Sequence, residues 1–265
     1  MTPGSVVHAL ETRWLYACLG LGGLIWLGSL STPQSISTFL MLTVSAFFSA
    51  KMMASRNMAH GIQVTERQLP DLYAMYKRVA DRLGMPNPPP LVVMQQGGVL
   101  NAFALKAGSR HQVVLTSTLL TEAGKDHGVV EFILGHELGH HLGGHTQFWR
   151  FALSLPLNIS LVPLALAWKR KQEFTADRFG LLGCGNLAAS ERAMKLLMAG
   201  SFGLRADTAE LQRQAAEHHD VFHWLGEIST THPAGATRIE EMRAFAATQG
   251  MAQSRPGAPA EAMVQ

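Results

Sequence analysis

Two uncharged apolar runs, Trp14 to Leu30 and Ile36 to Ala50, open the chain and are parted by a polar turn, Ser31 to Ser35, that contains Pro33. The pattern predicts a helical hairpin in a membrane over residues 1–56, with spans at about 14–30 and 36–53, the second lengthened by Met52 and Met53. At 1.5 Å per residue the first run extends about 26 Å, near the lower limit for a hydrocarbon layer of roughly 30 Å. A cleaved signal peptide is the rival reading. Against it stand one acid and one base ahead of Trp14 and the lack of a clear small-residue cleavage site between the runs. Arg13 on one flank, with Lys51 and Arg56 on the other, turns both ends of the hairpin toward the cytoplasm by the positive-inside rule.

Beyond the hairpin the period changes. Leu69, Leu72, Tyr76, Val79 and Leu83 recur at helical spacing, so Thr65 to Leu83 reads as an amphipathic helix, with Thr65 and Gln68 in capping-box positions and Gly84 and Pro86 closing it. Asn87-Pro88-Pro89-Pro90 is a stiff connector to a short buried strand, Leu91 to Met94. Gly97-Gly98 makes a turn, and Asn101 to Leu105 and His111 to Leu115 are strand-like runs joined at Gly108-Ser109. A helix capped by Asp126 then runs to about Leu142, ahead of Gly143-Gly144. Leu187 to Leu197 and Glu210 to Leu225 also read as helices, whereas residues 247–265 predict a disordered tail. The fold class expected is α+β, mostly α, with a small sheet in one domain over 57–246.

Composition adds the medium. Of 265 residues, 47% are hydrophobic and only 15% charged, which favours membrane segments. A net charge of +3 without a basic, aromatic-studded patch argues against a nucleic-acid partner. Cys18 and Cys184 form no Cys-x-x-Cys pair, so neither a disulfide framework nor a thiolate metal site is indicated.

The chemistry is concentrated in His136-Glu137-Leu138-Gly139-His140. Residues four apart share a helical face, so His136 and His140 can hold one zinc ion with Glu137 beside it as a general base. A catalytic zinc needs a third protein ligand and an open position for water. A third histidine would have to stand at 146, which is Thr, and His145 is one residue short. Glu173 and Asp177, four apart in Glu173-Phe174-Thr175-Ala176-Asp177, offer the alternative. Glu173 would bind the ion, and Asp177 would hydrogen-bond the far nitrogen of a ligand histidine. By itself this pair also fits a solvated helix face with Lys169, Arg170 and Lys171. His141 and His145 then read as packing, capping or surface residues, and His218, His219 and His223 as surface histidines.

The strands ahead of the metal helix have a use, since a peptide substrate can lie along an exposed sheet edge. Asn101, Ala102 and Phe103 are the candidate substrate-binding residues there. Asn101 would clamp the peptide or, equally, bond its own backbone in the adjacent turn. Phe151 to Trp168 is an uncharged run with Pro156 and Pro163, long enough to be transmembrane. A single crossing would put His140 and Glu173 on opposite sides of the bilayer. The run must therefore dip into the membrane, lie on it, pack within the domain, or serve an oligomer contact.

Taken in order, Asn101-Ala102-Phe103-Ala104, His136 to His140, Glu173 to Asp177, and Thr231-His232-Pro233 with Arg238 resemble the HtpX-like and CAAX prenyl protease group of membrane zinc peptidases, over roughly residues 65–240. The resemblance implies a gluzincin, zincin-like fold, one zinc ion per chain, peptide-bond hydrolysis, and His232 and Arg238 facing the substrate or transition state. Ala234 departs from the second proline common in the group, and 151–168 is too short for the two crossings often present there. The function expected is a membrane-anchored zinc endopeptidase that processes membrane-associated polypeptides, in a bacterial inner membrane with the catalytic domain in the cytoplasm. A prenyl-peptide protease and a non-catalytic metal-binding scaffold are the alternatives. Neither the substrate nor the oligomeric state is legible.

Overall fold

Prolines and capping side chains set where the helices begin. In the computed structural model, which describes residues 3–29, 31–108, 110–217, 226 and 230–251, a short α1 (Pro3–Val6) leads to α2 (Ala9–Ser29) and α3 (Pro33–His60). Thr32 caps α3, its hydroxyl accepting from the Ser35 N–H, and Pro33 occupies the first turn, where its missing N–H costs nothing. The two helices of the expected hairpin part company. Trp26 and Phe39 meet near the turn, with ring centroids 4.7 Å apart, but α2 goes on to pack beside α7 (Phe148–Ser160) and α8 (Val162–Cys184), whereas α3 covers the sheet. By length and composition α3 is the one described helix able to cross a membrane. α2 starts early enough to include Glu11 and Arg13, and it buries Glu11, Cys18 and Gly22.

Next come β1 (Ile62–Gln63), α4 (Pro70–Arg82), β2 (Leu91–Met94), β3 (Ala102–Ala107) and β4 (Arg110–Thr116). The predicted helix from Thr65 is shorter than expected because residue 69 precedes a proline and is driven out of the α region. Leu69 adopts φ 61°, and Thr65 and Gln68 instead close a tight turn on each other. The sheet runs β1-β2-β4-β3. β2 is parallel to β4, with Leu91 opposite Val113, and β3 is antiparallel to β4, with Ala102 opposite Leu115. β3 is thus an edge strand. Leu91, Val113 and Leu115 face the main core, and the other side of the sheet takes α3 so closely that a Cβ on Gly61 would lie 2.3 Å from Val92 Cγ1.

The core is built around α6 (His127–Leu142), buried from Val129 to Gly139 except at Glu131, and its partner α8. Glycines form the seam. A Cβ on Gly135 would stand 3.1 Å from Gly180 Cα, and one on Gly139 would stand 2.7 Å from Phe179 Cβ. Both helices approach nearly backbone to backbone, so short ligand side chains can meet across the gap. The run 151–168 is a broken helix. α7 ends at Leu161 (φ −131°, ψ 54°), and α8 restarts with Pro163 in its first turn. α7 and α8 pack on each other, and both pack on α2. Cys18, Leu157, Ala165 and Trp168 form a second buried cluster between α2, α7 and α8.

α5 (Ser117–Ala123), α9 (Leu187–Gly203), α10 (Thr208–Glu217) and α11 (Gly235–Thr248) complete an α+β, mostly helical fold with a small mixed sheet. α9 begins where predicted but kinks at Ala199 and Gly200. The expected helix to Leu225 is seen as far as Glu217. His218, His219 and His223, like residues 252–265 of the expected tail, lie outside the described residues.

Candidate metal centre

Asp126 starts α6, its carboxylate accepting from the Val129 N–H at 3.2 Å and pairing with Arg192 at 2.7 Å. Ten residues on, the helix turns His136 and His140 toward α8 with their Nε2 atoms 3.2 Å apart. Glu173 faces them across the glycine seam, one oxygen 3.7 Å from His136 Nε2 and the other 3.6 Å from His140 Nε2. Donors of a tetrahedral zinc, at bonds of 2.0–2.1 Å, stand about 3.3 Å from one another. The three side chains therefore fit a single ion with little adjustment, and their ligand atoms all lie within 4.8 Å of one another.

The outer partners fix how these ligands point. Asp177, one turn beyond Glu173 on α8, lies 3.0 Å from His136 Nδ1. An ionised carboxylate only accepts, so Nδ1 carries the proton and Nε2 turns its lone pair to the cluster. Arg238 from α11 holds Asp177 in a bidentate pair at 2.8 and 2.6 Å, with the same guanidinium 3.5 Å from Glu173. Arg238 is buried, and its side-chain hydrogen bonds go to Asp177. His232, largely exposed, donates from Nδ1 to Glu173 Oε2 at 2.7 Å. His145 also belongs to the group, with its Nδ1 2.8 Å from His140 Nδ1. Its sequence position gave no such signal.

Electrostatics separates the carboxylates. Burial alone would raise Glu173, but the His232 hydrogen bond and the charges of His140, Arg238 and His136 hold it below the usual carboxylate range. Burial pushes Glu137 up to about 7, with the neighbouring His136 opposing and Glu173 reinforcing the rise. That value suits a group that takes and returns a proton near neutral pH. Burial also drives His140 well down, favouring the neutral imidazole a metal requires.

A cleft of about 600 Å³ opens over these residues. Its floor is His136, Glu137 and His140, and one wall is the edge strand with Asn101, Ala102 and Phe103. Ala46 and Ala50 of α3 and Phe148 and Phe151 of α7 also line it. A smaller cavity of about 290 Å³ shares Asn101, Ala102, Glu137 and His232 and reaches Arg238. The Asn101 backbone is tied to Thr116 through both its N–H and its C=O, which anchors the head of β3 at the cleft.

The chain matches the model of peptidase family M48 over residues 66–150 and 146–246. It is 28% identical over 217 residues to a protease HtpX homolog of Nostoc punctiforme, covering 66% of this chain and 73% of that protein. A protease HtpX homolog of Pyrococcus abyssi is 27% identical over 277 aligned positions, 88% of this chain and 92% of the relative. The plastoglobule-localized metallopeptidase 48 of Arabidopsis thaliana chloroplasts is 28% identical over 144 residues, 50% of this chain and 41% of its own length.

Proposed function

Because the chain belongs to peptidase family M48 and is a metallopeptidase, we propose that it is a membrane-anchored zinc endopeptidase acting on membrane-associated polypeptides. The observation that carries the reading is Glu137, buried beside two histidines and a carboxylate spaced for one ion, under a cleft walled by an edge strand. His136, His140 and Glu173 would hold zinc, which when bound supplies Lewis acidity toward water and the scissile carbonyl. The substrate adds to β3 as a further strand, drawing main-chain hydrogen bonds from Ala102, with Asn101 and Phe103 meeting it through their side chains. Glu137 takes the proton of the attacking water and returns it to the leaving amine. His232, at the cleft mouth, gives its Nδ1 proton to Glu173 and, as the imidazolium, donates from Nε2 to the oxygen that gains charge, and Arg238 sets Asp177, and through it His136, in place. A structural metal site has no need of a base at 137, so this arrangement favours catalysis over a scaffold.

Anchoring draws on exposed apolar side chains along Leu40, Met41, Val44 and Phe48 of α3, Leu24 and Leu27 of α2, and Ile159, Leu161 and Val162 at the α7–α8 break. The spans at about 14–30 and 36–53, with the α7–α8 break, would enter an inner membrane, leaving the domain over 57–246 and the Glu11 end of α2 that packs on it on the cytoplasmic face. The test is Glu137→Gln. The variant should retain one zinc per chain and lose cleavage of an unfolded membrane protein. Normal turnover by that variant would sink the mechanism.

A further inference from the structure

On the zinc-site reading above, we propose that Glu11 and His145 are positioning residues for the metal ligand His140, which makes the head of α2 a working part of the metal centre. The argument is one of donors and acceptors. Glu11 is the acid at the start of α2, and its side chain, like that of His145, is only 3% exposed. Glu11 Oε1 lies 3.0 Å from His145 Nε2. An ionised carboxylate has no proton to give, so His145 Nε2 donates and its Nδ1 becomes the acceptor. That Nδ1 faces His140 Nδ1 at 2.8 Å, which places the His140 proton on Nδ1 and leaves Nε2 bare toward Glu173 and His136. The chain Glu11–His145–His140 thereby does for one ligand what Asp177 does for the other.

The surrounding structure is shaped for this contact. Just past α6, Gly143 and Gly144 fold the backbone so that the His145 N–H returns to the His140 carbonyl at 2.9 Å. Gly144 adopts φ 72°, and a Cβ at Gly143 would lie 2.4 Å from His145 Nε2, so a side chain at 143 would displace the imidazole. The second oxygen of Glu11 accepts from the Thr175 hydroxyl on α8, between Glu173 and Asp177, and Thr175 in turn accepts from the His8 N–H at 3.0 Å. Glu11 is thus held from both sides, and a shift of α2 would be felt at His140.

The experiment measures zinc affinity of the full-length protein in detergent, by competition with a chromophoric chelator, alongside the visible spectrum of the cobalt-substituted protein. Glu11→Ala and His145→Ala should each weaken zinc binding about 10–100-fold. The double variant should be no worse than the weaker single one, because the residues act in series. Glu11→Gln keeps an acceptor oxygen for His145 and should recover most of the loss. Melting of the zinc-free proteins separates packing from positioning, since a structural role would move that melting point and leave affinity and cobalt bands alone. Should Glu11→Ala fail to fold, His145→Ala gives the same reading. Wild-type affinity and an unchanged cobalt spectrum in either alanine variant would overturn the inference. A wild-type protein that took up no zinc would overturn the site itself.

Discussion

Gly139→Ala tests the seam on which the metal centre depends. The added methyl would sit 2.7 Å from Phe179 Cβ and 3.1 Å from Ala176 Cα, and two of its three nearest neighbours are backbone atoms that no rotamer change can move. Carbon contacts relax at about 3.5–4.0 Å, so α6 and α8 must part by roughly 0.5–1 Å at this point. The 3.6 and 3.7 Å spans from His140 and His136 to Glu173 cross the same gap. They would open by a similar amount, more than the ~0.2 Å that metal–ligand distances tolerate. Overpacking of this kind costs about 1–3 kcal/mol. Taken from zinc binding, that is about a 5–150-fold loss of affinity; taken from global stability, it lowers the melting point by roughly 2–12 °C. Zinc titration and thermal melting of zinc-loaded and zinc-free protein divide the two. Gly20→Ala, on an exposed stretch of α2 with nothing within 4 Å of the new methyl, is the control and should leave zinc affinity unchanged while raising rather than lowering the melting point, since Ala is the better helix former by about 0.5–1 kcal/mol. A Gly139→Ala protein with wild-type affinity, melting point and turnover would refute the account of the seam.

Arg238→Ala should destabilise the fold by about 3–5 kcal/mol in chemical denaturation, because it leaves the buried Asp177 carboxylate without its bidentate partner; Arg238→Lys should restore only part. Asp126→Ala should cost about 1–2 kcal/mol through the lost cap while leaving zinc affinity unchanged, which the same titration checks. Zinc removal by a chelator should lower stability by about 4 kcal/mol at a starting excess of 1,000 times Kd. The pH profile should show an acid limb from His141, which burial pushes down to about 4, with a hydrogen bond to the Gln112 carbonyl opposing and the charges of His111 and Lys106 adding. Its folded value lies below the unfolded 6.5, so the contribution is complete above about 6.5 and is lost as pH falls toward 4. At most roughly 3 kcal/mol is involved, and His141→Asn should flatten that limb of the denaturation curve.

The parts of the fold written in short-range patterns were legible. Asp126 and Gly143 bracket α6 as expected, and the runs at 91–94, 101–105 and 111–115 are strands. The approach of Glu173 to His136 and His140 followed from the need for a third ligand combined with an i,i+4 acidic pair. Propensity misplaced the start of α4, where the restriction that Pro70 imposes on Leu69 outweighs a capping-box pattern. β1, two residues long, carries no periodicity to detect. Apolar length alone made 151–168 look like one span, whereas a break at Leu161 divides it between α7 and α8. The link from Glu11 to His145 was out of reach for a different reason. It joins residues 134 apart through side-chain geometry, and an acid at the head of an apolar helix looks like any interfacial charge. The Arg238 pair with Asp177 is of the same kind, joining residues 61 apart through side-chain geometry.

The spread of the site along the chain also sets a clock. Glu11 and Arg238 stand roughly 230 residues apart, near opposite ends of the polypeptide, yet both touch residues that flank the same three ligands. At 5–20 residues per second the ribosome needs about 10–45 s to pass from one codon to the other. Over roughly the last 96 codons of it, about 5–19 s, the His136–Glu137–His140 helix, which ends at Leu142, has been made but lacks the arginine that holds Asp177. The pair that holds Asp177, and through it His136, can form only after α11 has been made.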